Sequence, residues 1–214
     1  MLLRRIVDRV TPLIRTPLEG YEQPELVEMI YRKTVTAPEQ PASWPEMAGA
    51  SSVLDFGGGC GIHYRRAAAQ SAAIRWAVVE TPAMAARAAE LQSERLRFFS
   101  QIENAGAWLG RIDVVHSNGA LQYVEDPRAT LAALCDLRAP TMIWERMALS
   151  RDSDGRREIH TSHLVDSGPG AAPLGILNRH VRLPRTILPE SDFVAAHREY
   201  RMIKRGDDHF VFQL

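Results

Sequence analysis

The chain has 214 residues, 26 basic against 26 acidic, with 45% hydrophobic and 7% aromatic residues, enough for one domain whose core needs no metal or disulfide. Zero formal net charge and the lack of a long basic run exclude a nucleic-acid backbone as the main expected partner. No stretch of 18 or more apolar residues offers a membrane span.

Leu2, Leu3, Ile6, Val7, Val10 and Ile14 recur at helical spacing among Arg4, Arg5 and Arg9, which predicts a basic amphipathic helix shortened by Pro12. Its apolar stripe can pack on the domain as a cap, or residues 1–15 can make a weak contact with a membrane surface. Asp8 and Arg9 interrupt it as a signal peptide, so a cytoplasmic location is expected. A second helix follows in "PELVEMIYRKTV", residues 24–35, and then a linker rich in Pro, Ala and Ser over 36–52. This divides the chain into a helical cap, 1–50, and a ligand-binding domain, 51–214.

From residue 51 the pattern alternates. "SSVLDF", "IRWAVVE", "LRFFS", "RIDVVHSN" and "TMIWERMAL" read as strands; "IHYRRAAAQSA", "TPAMAARAAELQSE" and "RATLAALCDL" read as helices. Thr81 with Pro82, and Asp126 with Pro127, carry the cap-then-proline signature of a helix start. Residues 151–190, broken by Gly168, Pro169, Gly170, Pro173, Pro184 and Pro189, are expected to be an irregular insertion and a substrate lid. "ESDFVAAHREY" supplies a last helix, and "RMIKRGDDHFVFQL" two strands joined at "RGDD". The fold class is therefore α/β: a Rossmann-like doubly wound sheet, mostly parallel, with an antiparallel C-terminal hairpin and an N-terminal helical extension. Cys60 and Cys135, far apart in apolar contexts, read as buried thiols.

Ligands of such sheets bind beyond the carboxyl ends of the strands, where the strand order reverses. The turn after the first strand holds Gly57, Gly58, Gly59 and Gly61. A dinucleotide fingerprint would want another glycine where Ile62 stands. Asp55, two residues before Gly57, would repel a diphosphate and attract a cationic group. Glu80, ending the second strand, can accept hydrogen bonds from both hydroxyls of a ribose and would repel a 2′-phosphate. A ribose-bearing, positively charged ligand without phosphate is expected.

"VLDFGGGCG", "WAVVE" and "IDVVHSNGALQYVEDP", taken in order over about residues 51–150, resemble the class I S-adenosylmethionine-dependent methyltransferases. The whole chain is also similar to a narrower bacterial family of methyltransferases encoded near surface-polysaccharide genes. The resemblance implies S-adenosylmethionine as cofactor. Asp55, Gly57, Gly59 and Gly61 would then line its methionine part, and Glu80 would hold the ribose. Thr81 and Pro82 would border the adenine, with Ser100 and Gln101 near its amino group. Asn118, ending the fourth strand, would offer a backbone carbonyl to the ammonium. Family members acting on nucleobases or glutamine amides carry an Asn or Asp, two prolines and an aromatic at that strand end; "SNGA" at 117–120 points away from those substrates.

A hydroxyl or ammonium acceptor needs a base. The candidates are His116, Glu145 and His163, with His160 beside them; Glu145 and Arg146 could instead bind a sugar-like or anionic acceptor. Tyr123 reads as a packing residue. His160 and His163 lack a third partner, so no metal is expected. Arg156, Arg157, Arg179, Arg182 and Arg185 of the insertion could favour an acidic acceptor or lie on a solvated surface. The expected activity is methyl transfer to a small-molecule or saccharide-like acceptor, at oxygen; the alternative is a cofactor-binding module or partner subunit without transfer.

Overall fold

The structure, a computed structural model, describes residues 20–38, 44–68 and 73–214; the expected amphipathic helix of residues 1–15 lies outside them. Helix α1, Pro24–Thr36, starts with Pro24 at its first position and the Gln23 side chain accepting from the Glu25 N–H. The expected linker holds a single 3₁₀ turn, Pro45–Met47, among its described residues.

Four strand–helix steps and a fifth strand follow: β1 Ser52–Phe56, α2 Ile62–Ala68, β2 Arg75–Val79, α3 Pro82–Ala88, β3 Leu96–Phe99, α4 Ile102–Leu109, β4 Val114–Asn118, α5 Pro127–Asp136 and β5 Thr141–Glu145. Beyond them lie β6 Leu149–Ser150, β7 Arg156–His163, β8 His180–Pro189, α6 Glu190–Ala196, β9 Arg201–Arg205 and β10 Phe210–Gln213. The main sheet has the order β3-β2-β1-β4-β5-β10-β9. Strands β1 to β5 pair in parallel, whereas β10 pairs antiparallel with β5 and β9. The strand order reverses between β1 and β4, so the crevice of this fold opens there.

Both faces are covered. Leu54, Ala77, Val115, Met142 and Trp144 pack with Leu109, Leu131, Leu134 and Phe193 on one side. The other side sets Val53, Trp76, Val78, Val114 and Ile143 against Val27, Ile30 and Met84. His197 closes the first core as a neutral ring: it accepts from Trp144 Nε1 at 2.9 Å, donates through Nδ1 to the Phe193 carbonyl and stacks on Phe212. Burial pushes it down to about 4. Cys60 and Cys135 are free, buried thiols, each pushed up to about 12 by burial.

The expectation of an irregular insertion at 151–190 is corrected. β7 and β8 form an antiparallel pair with Arg156 opposite Ile187 and His163 opposite His180, and β6 joins the other edge of β8. Paired residues share a face. The face of His160/Leu183 and Ser162/Val181 turns inward, where Leu183 and Val181 bury against Leu26, Met29 and Leu164. Half of this pair is thus a packed surface, which fixes it on the domain.

Candidate functional site

Alternation along the central strands builds one polar floor. On the face that buries Val53, Val114 and Ile143, the next inward positions are Asp55, His116 and Glu145, at the carboxyl ends of β1, β4 and β5. Apolar residues fill the middle of the sheet and ionisable ones its C-terminal edge.

Asp55 is fully buried, and three N–H donors converge on it: His116 Nδ1 on Oδ1 at 2.8 Å, with His63 Nδ1 and Trp76 Nε1 on Oδ2 at 3.0 Å each. Asp55 was expected to show its charge to the ligand; instead it lies under the glycine turn with that charge already answered. Gly58 is the reason it fits, since a Cβ there would fall on the carboxylate. Gly57, at φ +72°, has no room for a Cβ beside Ala120. One oxygen of Asp55 and one ring nitrogen each of His63 and His116 lie within 4.8 Å of one another. The donors around the carboxylate complete these residues as a hydrogen-bond network.

His116, also fully buried, continues the chain through Nε2 to Glu145 Oε2 at 3.0 Å. Glu145 takes further bonds from Asn118 Nδ2 at 2.9 Å and Trp44 Nε1 at 3.3 Å. Burial is the largest influence on each of these groups and disfavours charge, but the pairing outweighs it. The two histidines hold Asp55 below the ordinary carboxylate range, the two carboxylates raise His116 to about 9, and His116, Trp44 and Asn118 lower Glu145 to about 2. His116, expected as a candidate base, is therefore an imidazolium with both nitrogens committed, and Glu145 is a poor proton acceptor at neutral pH.

Glu80 sits at the end of β2. Its Oε1 accepts the Gly59 N–H at 2.8 Å and its Oε2 the Thr81 N–H at 2.9 Å. Burial, with the like charges of Asp55 and Glu22, raises it to about 6 against those two bonds. The Thr81 hydroxyl reaches both the Met84 N–H it caps and the Tyr21 carbonyl, and Pro82 opens α3. Ser100 and Gln101 are exposed beyond β3, the Gln101 amide accepting from Asn104.

Toward β5 the crevice meets different chemistry. Tyr21 packs edge-on to Tyr123, with ring centroids 5.4 Å apart, and Tyr123 Oη lies 2.8 Å from His160 Nδ1. Burial first, and then nearby Arg185, lower the His160 pKa. A groove of about 410 Å³ beside them is lined by Tyr123, Glu125, Arg157, Glu158 and Arg185. His163 belongs elsewhere: opposite His180 it faces outward, 3.6 Å from Asp166, on the side of β7 away from His160. Its expected place among the bases is not where the strand puts it. The insertion's arginines largely meet acids, Arg156 and Arg185 at Glu158 and Arg179 at Glu25. Arg146 follows Glu145 at φ +52°, an uncommon conformation for a side chain of its size.

Sequence reasoning missed His63, Trp76, Trp44 and Tyr21. Only Trp76 left a signal, since it stands two residues before Val78 on the same strand face.

No protein-family model matches the chain, and no curated protein matches it. Solved structures do. The amino pentose methyltransferase CalS10 from Micromonospora echinaspora, solved with S-adenosylmethionine bound, aligns over 99% of this chain and 96% of its own, at TM-score 0.53 and 16% identity. DesVI of Streptomyces venezuelae aligns over 88% and 92% at TM-score 0.50 and 14% identity. The sugar N-methyltransferase KedS8 from Streptoalloteichus aligns over 95% and 96% at TM-score 0.50 and 16% identity. The chain has the fold of these proteins, a Rossmann-like α/β sheet closed by an antiparallel hairpin.

Proposed function

We propose that the protein transfers a methyl group from S-adenosylmethionine to a hydroxyl of a small-molecule or saccharide-like acceptor. Glu80 carries this reading. Each of its oxygens accepts one backbone N–H, and each keeps a lone pair for one hydroxyl of a ribose diol. The carboxylate lies beside the glycine turn at the reversal of strand order, where a nucleoside binds this fold.

In this arrangement the backbone of Gly57, Gly59, Gly61 and Asn118 follows the methionine part. Thr81 and Pro82 border the adenine, and Ser100 and Gln101 lie toward its amino group. The cofactor supplies an activated methyl on a sulfonium. The protein's task is to hold the acceptor oxygen in line with the C–S bond and to accept its proton. His160, neutral and bonded to the Tyr123 hydroxyl, suits that proton better than His116 or Glu145. The groove beside it offers an aromatic ring and paired charged groups, Glu158 with Arg185, a lining suited to a polyhydroxylated ligand. That CalS10 and KedS8 are sugar methyltransferases agrees with such an acceptor.

Titration of the protein with S-adenosylhomocysteine is expected to show saturable one-site binding by calorimetry. No heat from a sample shown to be folded would overturn the reading. A second reading, a cofactor-binding module without transfer, draws on the commitment of His116 and Glu145 to a closed network. Turnover of S-adenosylmethionine with any acceptor sugar removes it.

A further inference from the structure

The methionine end of the cofactor carries an ammonium, and the acid expected to meet it is sealed off. Every donor around Asp55 comes from the protein, and no surface of the side chain is open. The question is where the negative charge of the site emerges.

The hydrogen bonds answer it. An ionised Asp55 only accepts, so His116 Nδ1 must carry a proton. Glu145 accepts from the Asn118 amide and the Trp44 indole, and as an ionised carboxylate it accepts from His116 too, whose Nε2 then carries a proton as well. One imidazolium stands between two carboxylates, and the inner one takes the His63 and Trp76 N–H groups as well. The inner carboxylate is fully enclosed, whereas the Glu145 side chain is 21% exposed. Among the described residues, Oε2 of Glu145 is saturated by His116 and Asn118, while Oε1 has one long bond, from Trp44, and a lone pair to spare. Asn118 ends β4, the neighbour of β1 across the reversal, so this oxygen lies at the methionine end of the crevice and not at the adenosine end.

We propose that Glu145 is the residue that binds the α-ammonium of the cofactor, with Asp55 and His116 as positioning residues that fix its carboxylate in place. The assignment rests on the cofactor reading above. It gives the acid of the glycine-turn motif an indirect role: Asp55 fixes His116, and His116 fixes both the orientation and the ionisation of Glu145.

The test is a two-by-two calorimetric titration. Wild type and Glu145→Gln are each titrated with S-adenosylhomocysteine and with its analogue lacking only the α-amino group. Wild type is expected to prefer the amine-bearing ligand by about 10-fold or more, as for a charge-assisted contact in a partly buried site. Glu145→Gln is expected to lose most of that preference while binding the deaminated analogue as wild type does. A variant that keeps the wild-type preference, or loses affinity for both ligands alike, overturns the assignment. If Glu145→Gln does not fold, wild type alone remains decisive against it, because equal affinity for the two ligands leaves no ammonium contact to assign. Wild type binding neither ligand fails the cofactor reading itself, and the Glu145 role falls with it; binding both equally fails only the Glu145 role.

Discussion

A methyl group on Gly58 would overlap the Asp55 carboxylate, and that carboxylate cannot swing away without stripping bonds from His63, Trp76 and His116. The site has no slack, because burial leaves no water to replace a lost partner. Gly58→Ala is therefore expected to destabilise the protein by about 1–3 kcal/mol, the usual cost of overpacking a closed site. Urea unfolding measures it, and a variant as stable as wild type would mean the carboxylate is free to move. The acids themselves were legible, since Asp55 and Glu80 stand at the ends of recognisable strands. Their environments were not: the donors to Asp55 come from 8, 21 and 61 residues away, and convergence over such separations leaves no local pattern. The charge of Asp55 was visible in sequence, but its neutralisation by His116 was not.

Central strands such as β1 are buried along their whole length and read as continuous apolar runs, which is why the parallel sheet was plain. The pair β7 and β8 was hidden because its outer face is charged or exposed and Pro184 and Pro189 interrupt β8. The prolines are tolerated by position. β6 reaches only Leu188 and Pro189, so among the described residues one side of β8 has no strand partner at Pro184, and Pro189 ends the strand. Helix α4 was missed as well; it is short, contains Gly106, and its Gln101 side chain makes no cap bond. Where a cap was legible it is present: Asp126 accepts from the Arg128 and Ala129 N–H groups at 3.1 and 3.0 Å at the start of α5. Asp126→Ala is expected to cost about 1 kcal/mol of stability and to leave S-adenosylhomocysteine affinity unchanged. Thermal melts and calorimetry together check this, and lost affinity at intact stability would tie α5 to the site.

Across the whole molecule, buried ionisable groups set how stability depends on pH. His116 has a folded pKa of about 9 against an ordinary 6.5, so its contribution is complete below pH 6.5 and is lost as pH rises to 9. Asp55 and Glu145 are depressed, Glu145 to about 2 from 4.5, so their contributions hold above the ordinary carboxylate range and vanish on further acidification. His197, depressed to about 4, loses its contribution as pH falls from 6.5, whereas Glu80, raised to about 6 from 4.5, becomes less unfavourable over much of that interval. These last two offset each other. The expected profile has a shoulder between about pH 4.5 and 6.5, a decline toward pH 9 governed by His116, and a steeper one below the shoulder governed by the carboxylates. Thermal melts at constant ionic strength trace it. A melting temperature that stays level or climbs from pH 6.5 to 9 would mean that His116 is not the proton-bearing link between Asp55 and Glu145, and the negative charge assigned to the mouth of the crevice would have no source.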